Sequence, residues 1–354
     1  MSGPQFDVDA RLPDGAWERL AQVVAEAGFV LDVDVPGKRF AGGLANENWM
    51  ISVDGKPVVL RKAPDGPQIP GANSREREHR ILSRLWKAYP LAPRSLLVCE
   101  DDAVIGVPFL LSEFRSGATL HRADPIITSA DAETATKLAH ALATAHAQLH
   151  AVDAAAVDLE SLGNPAGFNA RTVKRWAETV PKYPLPTAVD VERRDRVAGW
   201  LGANTPSDGD ATLIHNDLKL DNMLVDPSSL APVAVLDWDQ GTRGSPLFDF
   251  AMGITFWAEP HDPEGFRSEE IIRRGTPGMP TRREVAAMYG ELSGRDLSDL
   301  GFHLVLAEFK LAGIFLQLAE RFRVGATNNP RYATLDKVAA ACIEKAEQFI
   351  EESW

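Results

Sequence analysis

The stretch from Leu213 to Asp239, LIHNDLKLDNMLVDPSSLAPVAVLDWD, constrains this 354-residue chain more than any other segment. It spaces His215, Asp217 and Asn222 as His-x-Asp-x4-Asn and closes on Asp237. Met223 to Val225 and Val233 to Leu236 read as short apolar strands, and Asp226 to Pro232 between them is rich in turn formers. Antiparallel pairing with Val225 opposite Ala234 would set Asn222 opposite Asp237. Opposed residues share a face, with Cβ atoms about 5 Å apart. An amide oxygen and a carboxylate converging in this way make an incomplete set of hard oxygen ligands, which suits Mg²⁺ finished by phosphates and water. Asp217, in the loop just before, is placed to accept a proton from an attacking hydroxyl or to orient that hydroxyl towards phosphorus. His215 closes the preceding strand and is expected to hold the loop by hydrogen bonding. Singly, such residues are caps and turn formers. Together, at this spacing and with a strand on each side, they read as a site.

The rest of the chain changes character once. Residues 14–27 have helical spacing through Trp17, Leu20, Val23 and Val24. Asn48 to Val53 and Pro57 to Arg61 are strands joined at Asp54-Gly55-Lys56, a hairpin signal. A charged helix over Ser74 to Lys87 follows, then strands at Ser95 to Cys99 and Phe109 to Phe114. Beyond Gly117 helix dominates, as in Ala132 to Ala151, where Leu138, Leu142, Ala145 and Leu149 make one apolar face. The expected architecture is α+β: a small sheet-rich N-terminal lobe over 1–113, a hinge over 114–118, and a larger helical lobe over 119–354 that carries the loop 213–239. A length above roughly 250 residues agrees with two lobes.

A net charge of -13 disfavours nucleic-acid and anionic-membrane partners, whose recognition rests on Lys and Arg. It is compatible with a cationic substrate, and equally with plain solubility. Cys99 and Cys342, the two cysteines, form neither a zinc knuckle nor a disulfide framework, and a reducing cytoplasm is the expected location. The N-terminus has no signal-peptide pattern. The most apolar run, Leu300 to Leu318, is interrupted by His303, Glu308 and Lys310 and reads as a core helix.

The segment His215-Asn216-Asp217-Leu218 to Asn222, followed by Asp237, resembles the catalytic loop and metal-binding segment of kinase-fold enzymes. Asp237-Trp238-Asp239, with Gly244-Ser245-Pro246-Leu247-Phe248-Asp249, is similar to the aminoglycoside phosphotransferase family, which includes choline-kinase-like enzymes. Phe40-x-Gly42-Gly43, Leu60-Arg61-Lys62-Ala63-Pro64, Ser293-Gly294-Arg295-Asp296 and Phe309-Lys310-Leu311-Ala312 resemble the branch fused in some proteins to acyl-CoA dehydrogenases. The resemblance covers nearly the whole chain. It implies a two-lobed protein-kinase-like fold and Mg²⁺-dependent transfer of a phosphate from ATP or GTP to a small-molecule hydroxyl.

That resemblance assigns further residues. Val58-Val59-Leu60-Arg61 resembles the strand bearing the kinase lysine, with Arg61 in its place and able to grip phosphate in bidentate fashion. Lys62 is the rival, but strand alternation turns it to the other face. Glu78 matches the acid that steadies this cation, with Glu76 as the alternative. Gly42 and Gly43 lie in a loop whose amides are expected to approach phosphates. Glu113 to Gly117 is the expected hinge, its backbone pairing with adenine. Lys219 stands where a lysine meets the transferring phosphate in protein kinases, or else points to solvent. His146 and His150 lack the Glu of a zinc-protease helix, since Ala147 stands there, and read as structural. Three acceptor classes stay open: aminoglycosides, choline-like amino alcohols, and hydroxyacyl or other metabolite hydroxyls. A nucleotide-binding pseudoenzyme is the reading from a different class. The oligomeric state is not encoded in any of these features.

Overall fold

A computed structural model describes residues 6–7, 10–41, 46–63 and 74–354. In chain order the elements are β1 (Phe6–Asp7), α1 (Ala16–Glu26), β2 (Lys38–Phe40), β3 (Glu47–Val53), β4 (Lys56–Lys62), α2 (Arg75–Leu85), β5 (Ser95–Cys99), α3 (Asp102–Ile105) and β6 (Phe109–Glu113). Then come α4 (Pro125–Thr128), α5 (Ala132–His150), α6 (Phe168–Thr179), α7 (Ala188–Ala203), β7 (Thr212–Ile214), β8 (Met223–Val225), β9 (Pro232–Val235) and β10 (Thr242–Gly244). The chain closes with α8 (Pro246–Ile254), α9 (Arg282–Ser293), α10 (Leu300–Arg323) and α11 (Leu335–Glu351). It divides into two compact units. One is Met1–Gly117 with Ala155–Glu160 and Val233–Gly241; the other is Ala118–Ala154, Ser161–Pro232 and Thr242–Trp354.

The first unit is built on an antiparallel sheet of order β1-β2-β3-β4-β6-β5. Its centre is the β3–β4 hairpin, with Val53 paired to Lys56 across the turn. Both turn residues, Asp54 and Gly55, have positive φ, the two-residue turn whose twist matches its strands. Alternation sends Trp49, Ile51, Val53, Val58 and Leu60 to one face. There they meet Ala16, Leu20 and Val24, which recur every four residues along α1. Helix α2 starts where the Ser74 side chain accepts from the Arg77 amide, satisfying one of the orphan donors of a helix start.

The second unit is helical. Asp131 caps α5, and Thr187 and Thr281 form capping boxes with Asp190 and Glu284 at the starts of α7 and α9. Ser245 caps α8 and is followed by Pro246, whose fixed φ and missing N–H suit the first helical position. Helix α10 continues beyond the apolar run that ends at Leu318, as far as Arg323. By length and composition it is, among the described residues, the one helix long and apolar enough to cross a membrane, and 72% of its apolar window is buried. That burial is what a core helix shows, because an all-round apolar surface needs partners on every side.

Candidate functional site

In the first unit the chemistry gathers where β4, α2 and residues 237–239 meet. Arg61 on β4 is set by its register opposite Asn48 and Leu110. Its Nε lies 3.3 Å from the Glu78 carboxylate, and its Nη2 donates to Asp237. Burial disfavours the charge of this guanidinium. Glu78, Asp237 and Asp239 together overcome that penalty and raise its pKa. Arg75 donates to the same Glu78 and to Asn46, so one carboxylate serves two buried guanidiniums. Burial lowers the Arg75 pKa, with Glu78 opposing the effect. Glu76 is exposed and faces away from this group, while buried Lys62 pairs with Glu47 at 3.1 Å.

Trp238 anchors the segment. Its indole Nε1 donates to Val235 O at 2.7 Å, and its ring packs edge-on against Tyr89. On either side of that buried ring stand Asp237, with φ at 67°, and Asp239. Burial, then the charge of Asp237, push Asp239 up to about 7, against the pull of Arg61. Two carboxylates that repel one another, with Glu78 adding to the repulsion and Arg61 opposing it, form a donor set that a hard cation would relieve.

Glu113 ends β6. Its amide donates to Arg94 O at 2.8 Å, and its carboxylate accepts from the Arg94 amide at 3.2 Å and pairs with Arg115 at 3.1 Å. The Glu113 N–H is therefore already committed within the sheet edge. Gly42 and Gly43 lie outside the described residues.

In the second unit the loop after β7 holds a carboxylate between nitrogen donors. Lys219 Nζ is 3.2 Å from each oxygen of Asp217, and Asn222 Nδ2 donates to Asp217 Oδ2 at 2.9 Å and to its main-chain oxygen at 2.7 Å. These bonds use the Asn222 nitrogen and leave its Oδ1, the atom a hard cation would take, outside them. Lys219 is not a solvated side chain. Burial works against its charge, and Asp217, then Asp221 at 3.3 Å, more than compensate and raise its pKa. Asp217 itself keeps about a third of its side-chain surface, 35%, exposed, which a base needs in order to meet its substrate.

The loop backbone is fixed from beneath. Asp249 on α8 accepts from the amides of His215, at 2.9 Å, and of Asn216. His150 supports Asp249 through Nε2 at 3.1 Å while its Nδ1 meets Tyr289 at 2.8 Å. His146 and His150 are thus interior residues, and His150 braces the carboxylate that braces the loop. The sequence motifs contain Asp249, Asp239 and Lys310 without assigning them this work, and Arg75 stands outside them. Asn222 belongs to the second unit and Asp237 to the first.

Residues 36–286 match the model of the phosphotransferase enzyme family. The relatives include acyl-CoA dehydrogenase family member 11 of Gallus gallus, 30% identical over 81% of this chain and 37% of its own length. Acyl-CoA dehydrogenase family member 10 of Mus musculus is 28% identical over 88% of this chain and 29% of its own. The chain therefore spans about a third of the length of these relatives. Among solved structures, a Ralstonia eutropha protein provisionally assigned as an aminoglycoside phosphotransferase has a TM-score of 0.77 at 24% identity, covering 95% of this chain and 98% of that one. A choline/ethanolamine kinase family protein from Mesorhizobium loti has a TM-score of 0.61 at 15% identity, covering 96% and 94%. Aminoglycoside phosphotransferase APH(4)-Ia, solved with AMP-PNP and hygromycin B, has a TM-score of 0.57 at 14% identity, covering 92% and 97%. With its antiparallel sheet, its helical second unit and a matched stretch of this length, the chain has the kinase-like α+β fold and belongs to the phosphotransferase enzyme family.

Proposed function

We propose that this protein transfers the terminal phosphate of ATP or GTP, with Mg²⁺, to a hydroxyl group of a small molecule, with Asp217 as the base or orienting carboxylate. The observation that carries this reading is the Asp217 carboxylate, held by Lys219 and Asn222 yet one-third exposed. A carboxylate so restrained is pre-set to accept the hydroxyl proton, and phosphoryl transfer asks little more of a protein than positioning and charge neutralisation. Asn222 Oδ1 and the Asp237 carboxylate are the proposed Mg²⁺ ligands, and a bound Mg²⁺ would supply neutralising charge to the phosphate oxygens. The amide oxygen of Asn222, whose nitrogen makes the bonds to Asp217, and the repelling pair Asp237 and Asp239 fit such an ion in donor chemistry.

Arg61 is the proposed phosphate-binding cation, kept charged by Glu78 and oriented by it. Asp237 competes for the same guanidinium, so nucleotide binding has to draw Arg61 away from Asp237 or share it. Lys219 holds Asp217 in place and lies close enough to meet a phosphate brought to that carboxylate. His215 keeps the loop closed through its amide on Asp249. Gly42, Gly43 and the backbone near Glu113 are proposed to meet phosphate and adenine respectively.

For the acceptor we propose a metabolite hydroxyl outside the aminoglycosides, on an acyl chain. Support comes from the relatives at 28–30% identity, which are named as acyl-CoA dehydrogenase family members. The aminoglycoside phosphotransferase APH(4)-Ia stands at 14%, where likeness speaks for fold alone. The test is nucleotide consumption by purified protein with Mg²⁺, ATP or GTP, and a panel of kanamycin, choline-like amino alcohols and hydroxyacyl compounds. Turnover on hydroxyacyl compounds that chelation of Mg²⁺ abolishes is the expected result. Turnover on kanamycin with none on hydroxyacyl compounds would reject the acceptor class, and no Mg²⁺-dependent nucleotide use of any kind would reject the activity.

A further inference from the structure

Lys310 interrupts the apolar run of α10, and the packing of the second unit explains where its charge goes. Its Nζ donates to the main-chain oxygen of Asn216 at 3.4 Å and lies 5.1 Å from the centre of the Phe248 ring. Asn216 is the residue directly before Asp217, and its φ of 68° is left-handed, a conformation that costs a non-glycine residue roughly 1 kcal/mol or more. Its amide is already taken by Asp249 from α8. Asp249 therefore grips this residue by its N–H and Lys310 by its C=O, from two different helices. A backbone held at both polar groups cannot relax to the ordinary φ without breaking a charge-assisted bond.

We propose that Lys310 is a positioning residue of the phosphotransfer reaction: its ammonium fixes the Asn216 carbonyl and thereby aims the Asp217 carboxylate. The inference rests on the reading of Asp217 as the base or orienting group. The charged groups facing Lys310 are Asp217 from its loop, Asp249 from α8 and Arg175 from α6. Burial pushes Lys310 down to about 8, with Asp217 and Asp249 opposing that drop and Arg175 adding to it. The ammonium is therefore present below about pH 8 and is lost as pH rises through that value, weakening the grip on Asn216 as it goes. This accounts for a lysine kept on an otherwise apolar helix next to a catalytic loop, where a leucine would pack as well but hold nothing.

The test compares wild type, Lys310→Met, Lys310→Arg and Asp217→Asn, each checked for an unchanged melting temperature. Mg²⁺-dependent hydrolysis of ATP and GTP by water serves as the probe reaction, followed from pH 6 to 10. Lys310→Met should lower turnover about 10- to 100-fold, the scale of a misplaced catalytic group, with KM for nucleotide little changed. Lys310→Arg should restore most of it, and the alkaline fall expected near pH 8 in wild type should move upwards because arginine stays charged. Independently of activity, the Lys310 side-chain NMR signal should titrate near 8 in wild type and lower in Asp217→Asn, which removes an opposing charge. Three results would each overturn the proposal: Lys310→Met with wild-type turnover and alkaline limb, a loss that arginine does not restore, or a Lys310 titration that ignores Asp217→Asn. Undiminished turnover in Asp217→Asn would instead remove the base, leaving the NMR titration to decide whether Lys310 and Asp217 are coupled.

Discussion

Gly253, in α8, ties the packing of the second unit to the loop that carries Asp217. A Cβ added there would sit 2.5 Å from the main-chain oxygen of Leu218, 2.7 Å from His146 Cε1 and 3.1 Å from His146 Nε2. Ordinary contact begins at 3.4 Å, so the shortfall against Leu218 is 3.4 − 2.5 = 0.9 Å. Neither neighbour can turn aside. The Leu218 oxygen is backbone one residue after Asp217, and His146 is held by Nδ1 on Leu142 O at 3.0 Å and packed edge-on against Phe250. Gly253→Ala should gain about 1 kcal/mol of helix propensity and lose about 1–3 kcal/mol to overpacking, leaving a net destabilisation of about 1 kcal/mol. Gly199 in α7 supplies the control, because a Cβ there meets nothing within 4 Å. Gly199→Ala should stabilise by about 0.5–1 kcal/mol. Urea-unfolding midpoints measure both. Nucleotide turnover should fall about 10- to 100-fold in Gly253→Ala alone, since a shift approaching 1 Å next to the proposed base, Asp217, misaligns it. If the two alanine variants are equally stabilised and equally active, the close approach of α8 to the loop is wrong.

Three further outcomes follow from the same geometry. Asp217→Asn should lower turnover about 10²- to 10⁴-fold while nucleotide affinity, measured by calorimetry, stays within a few-fold; near-full turnover would take Asp217 out of the mechanism. Arg61→Ala and Glu78→Ala should each weaken nucleotide use, and their double-mutant cycle should show a coupling of about 0.5–3 kcal/mol, since Glu78 acts through Arg61; strict additivity would break the pair. His146 and His303 are buried and neutral, burial pushing the first down to about 4 and the second to about 3, against small opposing pulls from Asp249 and Asp208. Their unfolded forms take up protons below roughly pH 6.5, so their contribution to stability is full above that pH and is lost between about 6.5 and 4 for His146 and down to about 3 for His303. Each such proton contributes a slope of about 1.4 kcal/mol per pH unit, and His303→Gln should lower the observed slope by about that amount; an unchanged slope would show that His303 does not carry one of those protons.

Local signals in the sequence were strong wherever the backbone makes a demand that few residues meet. Asp54-Gly55 announced the β3–β4 hairpin because both turn positions need positive φ. The helix expected from Ser74 begins where that side chain caps α2, and Ser245-Pro246 begins α8, because helix starts need an acceptor and tolerate a missing donor. Boundaries drifted by a residue or two where no such punctuation exists, as at Phe114 and Leu236. Arg75 was harder to see. In the run REREHR every residue but His79 is charged, and nothing in composition separates Arg75 from Arg77 or Arg80. The helical phase does separate them: Arg75, Glu78 and Leu82 lie on one stripe with the buried Ile81 and Leu85. The roles of Asp239 and Lys310 depend on contacts from elements distant in the chain, a guanidinium on β4 in one case and a loop carbonyl almost a hundred residues away in the other. Periodicity carries no such information, and on α10 it made Lys310 look like an interruption.

Two residues next to the proposed chemistry, Asn216 and Asp237, take left-handed backbone conformations that glycine would adopt at no cost. Glycine would be the cheaper choice for folding. It would also leave the adjoining backbone free to swing in the unfolded and partly ordered states, and at Asp237 it would remove the carboxylate. Each position is instead held by charge. Asn216 is gripped by Asp249 and Lys310, and Asp237 is tied to Arg61 with the buried Trp238 ring behind it. Strain of roughly 1–3 kcal/mol at such a residue persists only where its surroundings over-determine it. In both units the surroundings that do so are ionic groups, and ionic groups respond to what binds nearby. A polyanionic nucleotide arriving with its cation would redistribute the partners of Arg61, whereas the grip on Asn216 is made by an ammonium and a carboxylate on packed helices. The expected consequence is an Asp237 segment that adjusts on nucleotide binding and an Asp217 loop that is already set, a division suited to a reaction in which placement of the acceptor hydroxyl does most of the work.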